Sequence, residues 1–420
     1  MSCDGWKEVR LGDFCSKIGS GVTPRGGDNV YIDEGVSLIR SQNIYDFSFD
    51  YNGLVYIDNE QAEKMKNVEI EKLDVLLNIT GDSVARCCLV PDDILPARVN
   101  QHVSIIRPNQ GLLNSAFLQY ELINPNVKEY LLSLASTGGT RKALTKNMIE
   151  NLKINIPPIK EQRAIAATLS ALDDKIELNN RINKKLEEMA QAIFKSWFVD
   201  FEPFQDGVFE ESELGRIPKG WKVYKLEELI ESVSITHKLN CEKVIFLNTS
   251  DIEEGRVLHH NYSLINGLPG QAKKSIQKND ILFTEIRPAN KRYALIDFDA
   301  QDYVVSTKLM VLRTKKHVQP IVIYNFLTSN EILAQLQHIA ESRSGTFPQI
   351  TFDQVKELKL ALPQGDFLQK YTDLAWSIFK QITFNNKQTR TIINVRDSLL
   401  PKLMSGEIRV PIDNVTQEVV

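Results

Sequence analysis

PPIKEQRAIAATLSALDDKIELNNRINKKLEEMAQAIFKSWF, residues 157–198, reads as one long helix. Ile165, Leu172, Asn179, Leu186 and Ile193 recur every seven residues, and Leu169, Ile176, Asn183, Ala190 and Trp197 recur in step four positions later. That is an a/d seam across nearly five heptads. Pro157 and Pro158 mark its start and Pro203 lies beyond its end. Forty helical residues at about 1.5 Å each make a rod of roughly 60 Å. A helix of that length cannot bury its own apolar stripe, so it predicts a partner.

The partner lies at the other end of the chain. Tyr371, Ile378, Asn385, Ile392 and Leu399 repeat the spacing, with Ala375, Ile382, Thr389, Arg396 and Leu403. The duplication extends upstream. STGGTRKALTKNMIENLKINIPP from Ser136 matches SRSGTFPQITFDQVKELKLALPQ from Ser342, and Gly139, Thr140, Thr145, Leu152 and Pro157 each recur 206 positions later. Asp74 falls opposite Asp280 in the same register, and Ile44 opposite Ile252 at an offset of 208. GWKEVRLGDF at Gly5 resembles GWKVYKLEEL at Gly220. Five blocks in one order define two copies of a single unit, each a mixed domain followed by a long helix.

Within the copies, DVLLNIT, HVSIIRP, DILFTEI, YALIDF and KLMVLRT read as strands, and SAFLQYELIN and PIVIYNFLTSNEILAQLQ as helices. The expected fold class is mixed α/β (α+β). Two similar globular domains are expected at the ends of an antiparallel two-helix coiled coil, related by a pseudo-twofold internal repeat. The boundaries follow as a first domain 1–156, a helix 157–200, a second domain 201–362, a helix 363–409 and a tail 410–420. Asn179, Asn183, Asn385 and Thr389 would pin the register at some cost in stability. Arg396 at a seam position and Pro401 predict a frayed or bent end to the second helix. Lys175, Glu177, Arg181, Lys184, Lys185, Glu187 and Glu188 read as a solvated face. Phe194, Trp197, Phe198, Phe201 and Phe204 exceed what a two-helix seam can bury and suit either a joint to the second domain or a docking surface.

The 420 residues carry a net charge of −4 and are 42% hydrophobic and 25% charged, so any nucleic-acid surface is local. Cys3, Cys15, Cys87, Cys88 and Cys241 form no C-x-x-C pair and read as free thiols of a reducing cytoplasm. The start lacks an apolar signal core and no run approaches a membrane span of about 18 residues. There is no phosphate loop, H-E-x-x-H or G-x-S-x-G. NIPP at Asn155 lacks the aromatic of an adenine-methyltransferase loop, and KIGSG at Lys17 has no glycine-rich counterpart in the second copy. The chain is therefore read as non-catalytic, with no metal or cofactor of its own.

What the copies do share is loops rich in hydrogen-bonding and basic side chains, different in each copy. Arg matches guanine edges and Asn or Gln adenine edges, while Lys, Ser, Thr and glycine amides suit phosphates. The first-copy candidates for DNA contact are Thr23, Arg25, Arg40, Gln42, Asn43, Ser83, Arg86, Thr140, Arg141 and Lys142. The second-copy candidates are His237, Lys238, Asn248, Arg287, Asn290, Lys291, Arg292, Arg343, Thr346 and Gln349. A protein-binding scaffold and a stand-alone DNA-binding regulator remain open on the residues alone.

The order of parts closes the question in one direction. The 157–204 block, the paired GGTRKALT and SGTFPQIT segments, GSGVTPRGG…YIDEGVSLIRSQNI and LLPKLMSGEIRV at Leu399 resemble the specificity (S) subunit of type I restriction–modification systems over essentially the whole chain. The resemblance implies two target-recognition domains, each reading half of an interrupted site on double-stranded DNA, with the helices setting the spacing. It implies two modification (methyltransferase) subunits that carry S-adenosylmethionine and methylate adenine. Restriction (translocase/nuclease) subunits that use ATP and Mg2+ would join them.

Overall fold

The computed structural model describes residues 5–136, 142–238, 240–315, 318–343 and 345–411, and of Asp28 only the backbone. The chain divides into two compact units, residues 1–180 with 386–420, and residues 181–385.

In the first unit, Lys7–Arg10 pairs antiparallel with Lys153–Ile156. A four-stranded antiparallel sheet runs in the order Cys15–Ser20, Val103–Pro108, Val75–Asn78, Cys87–Leu89. A three-stranded sheet has Val36–Ile39 at its centre, antiparallel to Val55–Ile57 and parallel to Ala97–Val99. Successive side chains of a strand point to opposite faces. Here both faces of the larger sheet are buried: Val75, Leu77 and Ile106 join one apolar cluster, Leu76 and Ile105 another. That explains why these strands read as continuous apolar runs rather than alternating ones. Helices Ser115–Ile123 and Pro125–Ser136 cover one face.

The second unit repeats the plan. Lys222–Lys225 pairs with Lys359–Leu362, and the larger sheet runs Ile230–Ser232, Leu309–Thr314, Ile281–Thr284, Tyr293–Leu295. Lys243–Leu247 is parallel to Tyr303–Ser306, which in turn pairs with Ala272–Ser275. The apolar run at 320–337 is two helices, Pro320–Leu327 and Asn330–Arg343, parted where Ser329 binds back to the Phe326 carbonyl.

The duplication reaches the polar core. Asp74, fully buried, accepts from Arg107 Nε and Nη2 at 2.7 and 2.8 Å and from the Glu71 amide at 2.7 Å. Asp280, equally buried, accepts from Arg313 Nε and Nη2 at 2.8 and 2.9 Å and from the Gln277 amide at 2.9 Å. All three pairs of positions keep the 206-residue register. These aspartates hold each sheet to the turn before it.

The long helices are Ile159–Phe198 and Asp366–Met404. Within the first unit they run antiparallel: Asn179 donates to Gln388 Oε1 and Thr389 Oγ1 at 2.9 and 3.2 Å, and Arg396 meets Asp173 at 2.7 Å. Within the second unit Asn385 donates to Asn183 Oδ1 at 2.8 Å, and the Phe198 and Tyr371 rings lie 4.6 Å apart. The polar residues therefore pair in the expected register, and 179·389 and 183·385 are the same pair of positions in the two copies. Ile165, Leu169, Tyr371, Ala375, Ile378 and Leu403 are buried, and Leu172, Ile176, Leu186, Ile193, Trp197, Ile382, Ile392 and Leu399 are half-buried.

Two expectations for the helices change. The second helix does not fray: it continues past Pro401 to Met404, because Leu400, Leu403 and Met404 are buried in the first unit's core. Lys175 and Glu187 are not on a solvated face but half-buried, and burial raises the Glu187 carboxyl pKa, with Glu254 adding to the shift. The aromatic run forms the joint. Phe194 and Phe198 belong to the second unit's core, and Phe201 and Phe204 pack edge-on against Trp221 at 5.2 and 5.0 Å.

Candidate nucleic-acid interface

In the first unit, the segments leaving the carboxyl ends of four strands are tied into one cluster. Gly21 N donates to Val103 O at 2.9 Å and Val22 N to Val99 O at 3.1 Å. Asn78 Nδ2 donates to Ser41 O at 2.8 Å. Ile79 N reaches His102 O at 3.0 Å, Leu144 N reaches Ile79 O at 2.8 Å and Gly81 N reaches Lys142 O at 3.1 Å. The glycine of the GSGVTP stretch has a steric cause: a Cβ on Gly21 would lie 2.1 Å from the Val99 carbonyl oxygen. In the second copy the matching segment pairs elsewhere, Ser275 N donating to Ile235 O at 2.8 Å, and no glycine is needed.

This arrangement gathers most of the first-copy candidates. Thr23, Arg25, Gln42 and Lys142 are exposed and Ser83 is half-buried. Arg40 donates Nη2 to Gly53 O at 2.6 Å and sits 5.6 Å from the Tyr31 ring centroid. Arg86 lies 4.6 Å from the Tyr45 ring centroid, which holds a guanidinium plane while leaving its edge to act as a donor. Asn43 is a correction. It has no exposed surface, accepts from Arg40 N at 3.0 Å and donates to Asp50 O at 2.9 Å, so it builds the loop and cannot read a base. Thr140 and Arg141 lie outside the described residues.

The second unit makes the same ties. Glu285 N donates to Lys308 O at 3.0 Å and Ile350 N to Glu285 O at 2.9 Å, each 206 positions after its first-copy counterpart. Arg287 N donates to Pro348 O at 3.1 Å. Arg287 and Lys291 have left-handed backbones, φ 44° and 54°, on a tight turn that presents exposed Arg287 and Asn290. Lys238, Arg343 and Thr346 are exposed, Gln349 is half-buried, and Lys291 pairs with Glu254 at 3.1 Å. His237 Nε2 lies 3.1 Å from Gln301 O.

Two second-copy candidates are half-buried and tied into their own loop. Arg292, the counterpart of Arg86, donates Nη1 to Ile252 O at 3.0 Å and to Glu253 Oε1 at 3.2 Å. Asn248 is half-buried, its side chain accepting from Thr249 N at 2.9 Å. Both hold the loop in place. The structure adds Gln101 and His102, and Lys308 at the matching turn; Thr80 Oγ1 lies 2.7 Å from His102 Nδ1. Their signal was present as NQH and STK, polar turns between matched strands. Beneath the second turn Lys274 donates to Thr307 O and Leu309 O at 3.0 and 2.8 Å, and burial lowers its pKa. Among the described residues no group of three His, Cys, Asp or Glu side chains is placed to hold a metal, and no helix is long and apolar enough to cross a membrane.

Two copies of one loop scaffold carry different donors and cations. The family model described as the type I restriction modification DNA specificity domain matches the chain twice, over residues 3–188 and 218–394. The chain belongs to that family. It is 30% identical over 426 aligned residues to the type I restriction enzyme MjaIX specificity subunit of Methanocaldococcus jannaschii, covering 96% of this chain and 94% of that protein. It is 41% identical over 181 residues to the HindI specificity subunit of Haemophilus influenzae, covering 43% of this chain and 39% of that protein. That second match spans less than half of either chain. The fold is similar to the crystal structure of a type I restriction–modification S subunit from M. genitalium, with a TM-score of 0.59 at 14% identity over 95% and 96% of the two chains. Each loop cluster lies in one of the two matched specificity domains.

Proposed function

We propose that the chain is the DNA-recognition subunit of a type I restriction–modification complex and reads a bipartite site, one half with each specificity domain. The observation that carries this is the conserved register of the loop ties, 79·102 and 79·144 in one copy and 285·308 and 285·350 in the other, beneath unlike side chains. A fixed scaffold with exchanged tips is what two readers of two sequences require. Exposed lysines and amides position the backbone, and Arg, Gln and Asn edges discriminate bases. The two long helices set the half-site spacing and offer surfaces for two modification subunits.

The chemistry belongs to the partners. The modification subunits supply S-adenosylmethionine for adenine methylation, and the restriction subunits supply ATP- and Mg2+-dependent translocation and cleavage. The test is exchange of residues 1–156 for the corresponding domain of another specificity subunit, in complex with the modification subunits. One half of the methylated sequence changes and the other half is retained. An unchanged methylated sequence overturns the reading.

A further inference from the structure

The hairpin of strands Ile44–Tyr45 and Ser48–Phe49 follows the Arg40–Asn43 loop of the first reader. Its tip is held residue by residue. Tyr45 lies against Arg86. Asp46 is ion-paired with Lys128 and accepts from the Cys87 amide at 3.3 Å. Phe47 has its ring centroid 3.6 Å from the Arg396 guanidinium carbon and 6.2 Å from the Tyr120 ring. Arg396 comes from the second long helix and is 9% exposed. It binds Asp173 of the first long helix at 2.7 Å, and Asp173 also accepts from Tyr120 Oη at 2.6 Å. Phe47 sits at φ 67°, a conformation that a residue with a side chain keeps only where its surroundings impose it.

We propose that Arg396 is a positioning residue for the first reader. Through its cation–π contact with Phe47 it fixes the recognition hairpin, and with it Tyr45 and Arg86, onto the helix pair. This rests on the reading of these loops as DNA-contacting. Arg396 itself touches no base; its substitution lowers how sharply one half-site is read. Among the described residues the device exists once. In the second copy the matched positions are Gly255 for Phe47, Ala190 for Arg396 and Phe379 for Asp173. Gly255 keeps the left-handed turn at φ 82° without a side chain, and a Cβ there would meet Tyr324 Oη at 2.5 Å. One reader is therefore locked to the helices by a charged aromatic contact that its counterpart lacks.

The test selects bound duplexes from a pool of randomised sequence with the full chain assembled with its modification subunits. The wild-type complex returns two blocks of base preference. Phe47→Gly relieves the strained φ and leaves the Arg396–Asp173 pair intact. It flattens one block, with preference at those positions falling about threefold to tenfold, and leaves the other block unchanged. Arg396→Lys, which keeps the charge toward Asp173 but loses the flat guanidinium, weakens the same block. Phe47→Trp retains it, and Phe47→Leu, equally apolar but without a π face, does not. Wild-type behaviour of Phe47→Leu, equal fading of both blocks, or no change in Phe47→Gly overturns the proposal. A wild-type selection without two blocks defeats the bipartite reading before any variant is compared, and the positioning role falls with it.

Discussion

Leucine at Asn183, at Asn385 and at both tests the polar centre of the helix pair. In the second unit Asn385 Nδ2 donates to Asn183 Oδ1 at 2.8 Å, and Gln381 Nε2 donates to Asn385 Oδ1 at 2.9 Å. The two asparagines are 6% and 4% exposed. Either single change removes the bond between two buried amides and leaves one amide group facing leucine, which costs about 1–3 kcal/mol. Leucine burial offsets part of that, so each single variant loses about 1–2 kcal/mol. Changing both removes the two buried amides together and adds apolar surface, so the double variant equals or exceeds the wild type. The coupling energy is about 2–4 kcal/mol and favourable. In thermal unfolding of the full chain, a unit of this size shifts by about 2–4 °C per kcal/mol. The single variants lower the second unit's Tm by about 2–8 °C and the double restores it. Additive losses, with the double variant the least stable of the set, refute the pairing.

Three further outcomes follow from the same contacts. Asp280→Ala strands Arg313 and costs about 3–5 kcal/mol, while Asp74→Ala costs roughly 1 kcal/mol less because Arg107 also holds Glu71 and the Glu69 carbonyl; denaturant unfolding of each unit measures the order. Burial raises the Glu121 pKa to about 8, so the folded first unit holds a proton that the unfolded chain releases near 4.5. Its stability therefore falls as pH rises between those values, and Glu121→Gln flattens that slope in melts at about pH 5 and pH 8. Lys142→Ala, at an exposed phosphate-type position, weakens DNA binding evenly across sequences and lowers the salt slope by about one.

The heptad seam was legible because a two-helix interface imposes a strict period, and each seam residue named from the spacing is buried or half-buried. The helix ends followed from Pro157–Pro158 and Pro203, with Ile159 and Phe198 the observed limits. Strand identity was legible and strand order was not: the parallel pairing of Val36–Ile39 with Ala97–Val99 depends on chain crossings that no local pattern encodes. Side-chain allegiance in the loops was the least legible. Asn43 has the residue type of a base reader, but a buried loop consumes it for backbone carbonyls and amides, and half-buried Asn248 and Arg292 also bind their own loop. Arg396 looked like a fault in the seam because its partners, Phe47 and Asp173, are 349 and 223 positions away.

On the proposed function, this chain chooses the sequence its partners modify. Adenine methylation mapped across the genome of a host carrying the modification subunits, with and without this chain, tests it most directly. One interrupted sequence, two short specified blocks around a gap of fixed length, is methylated only when the chain is present. Methylation that is unchanged by removing the chain, or that falls on a continuous site, contradicts it.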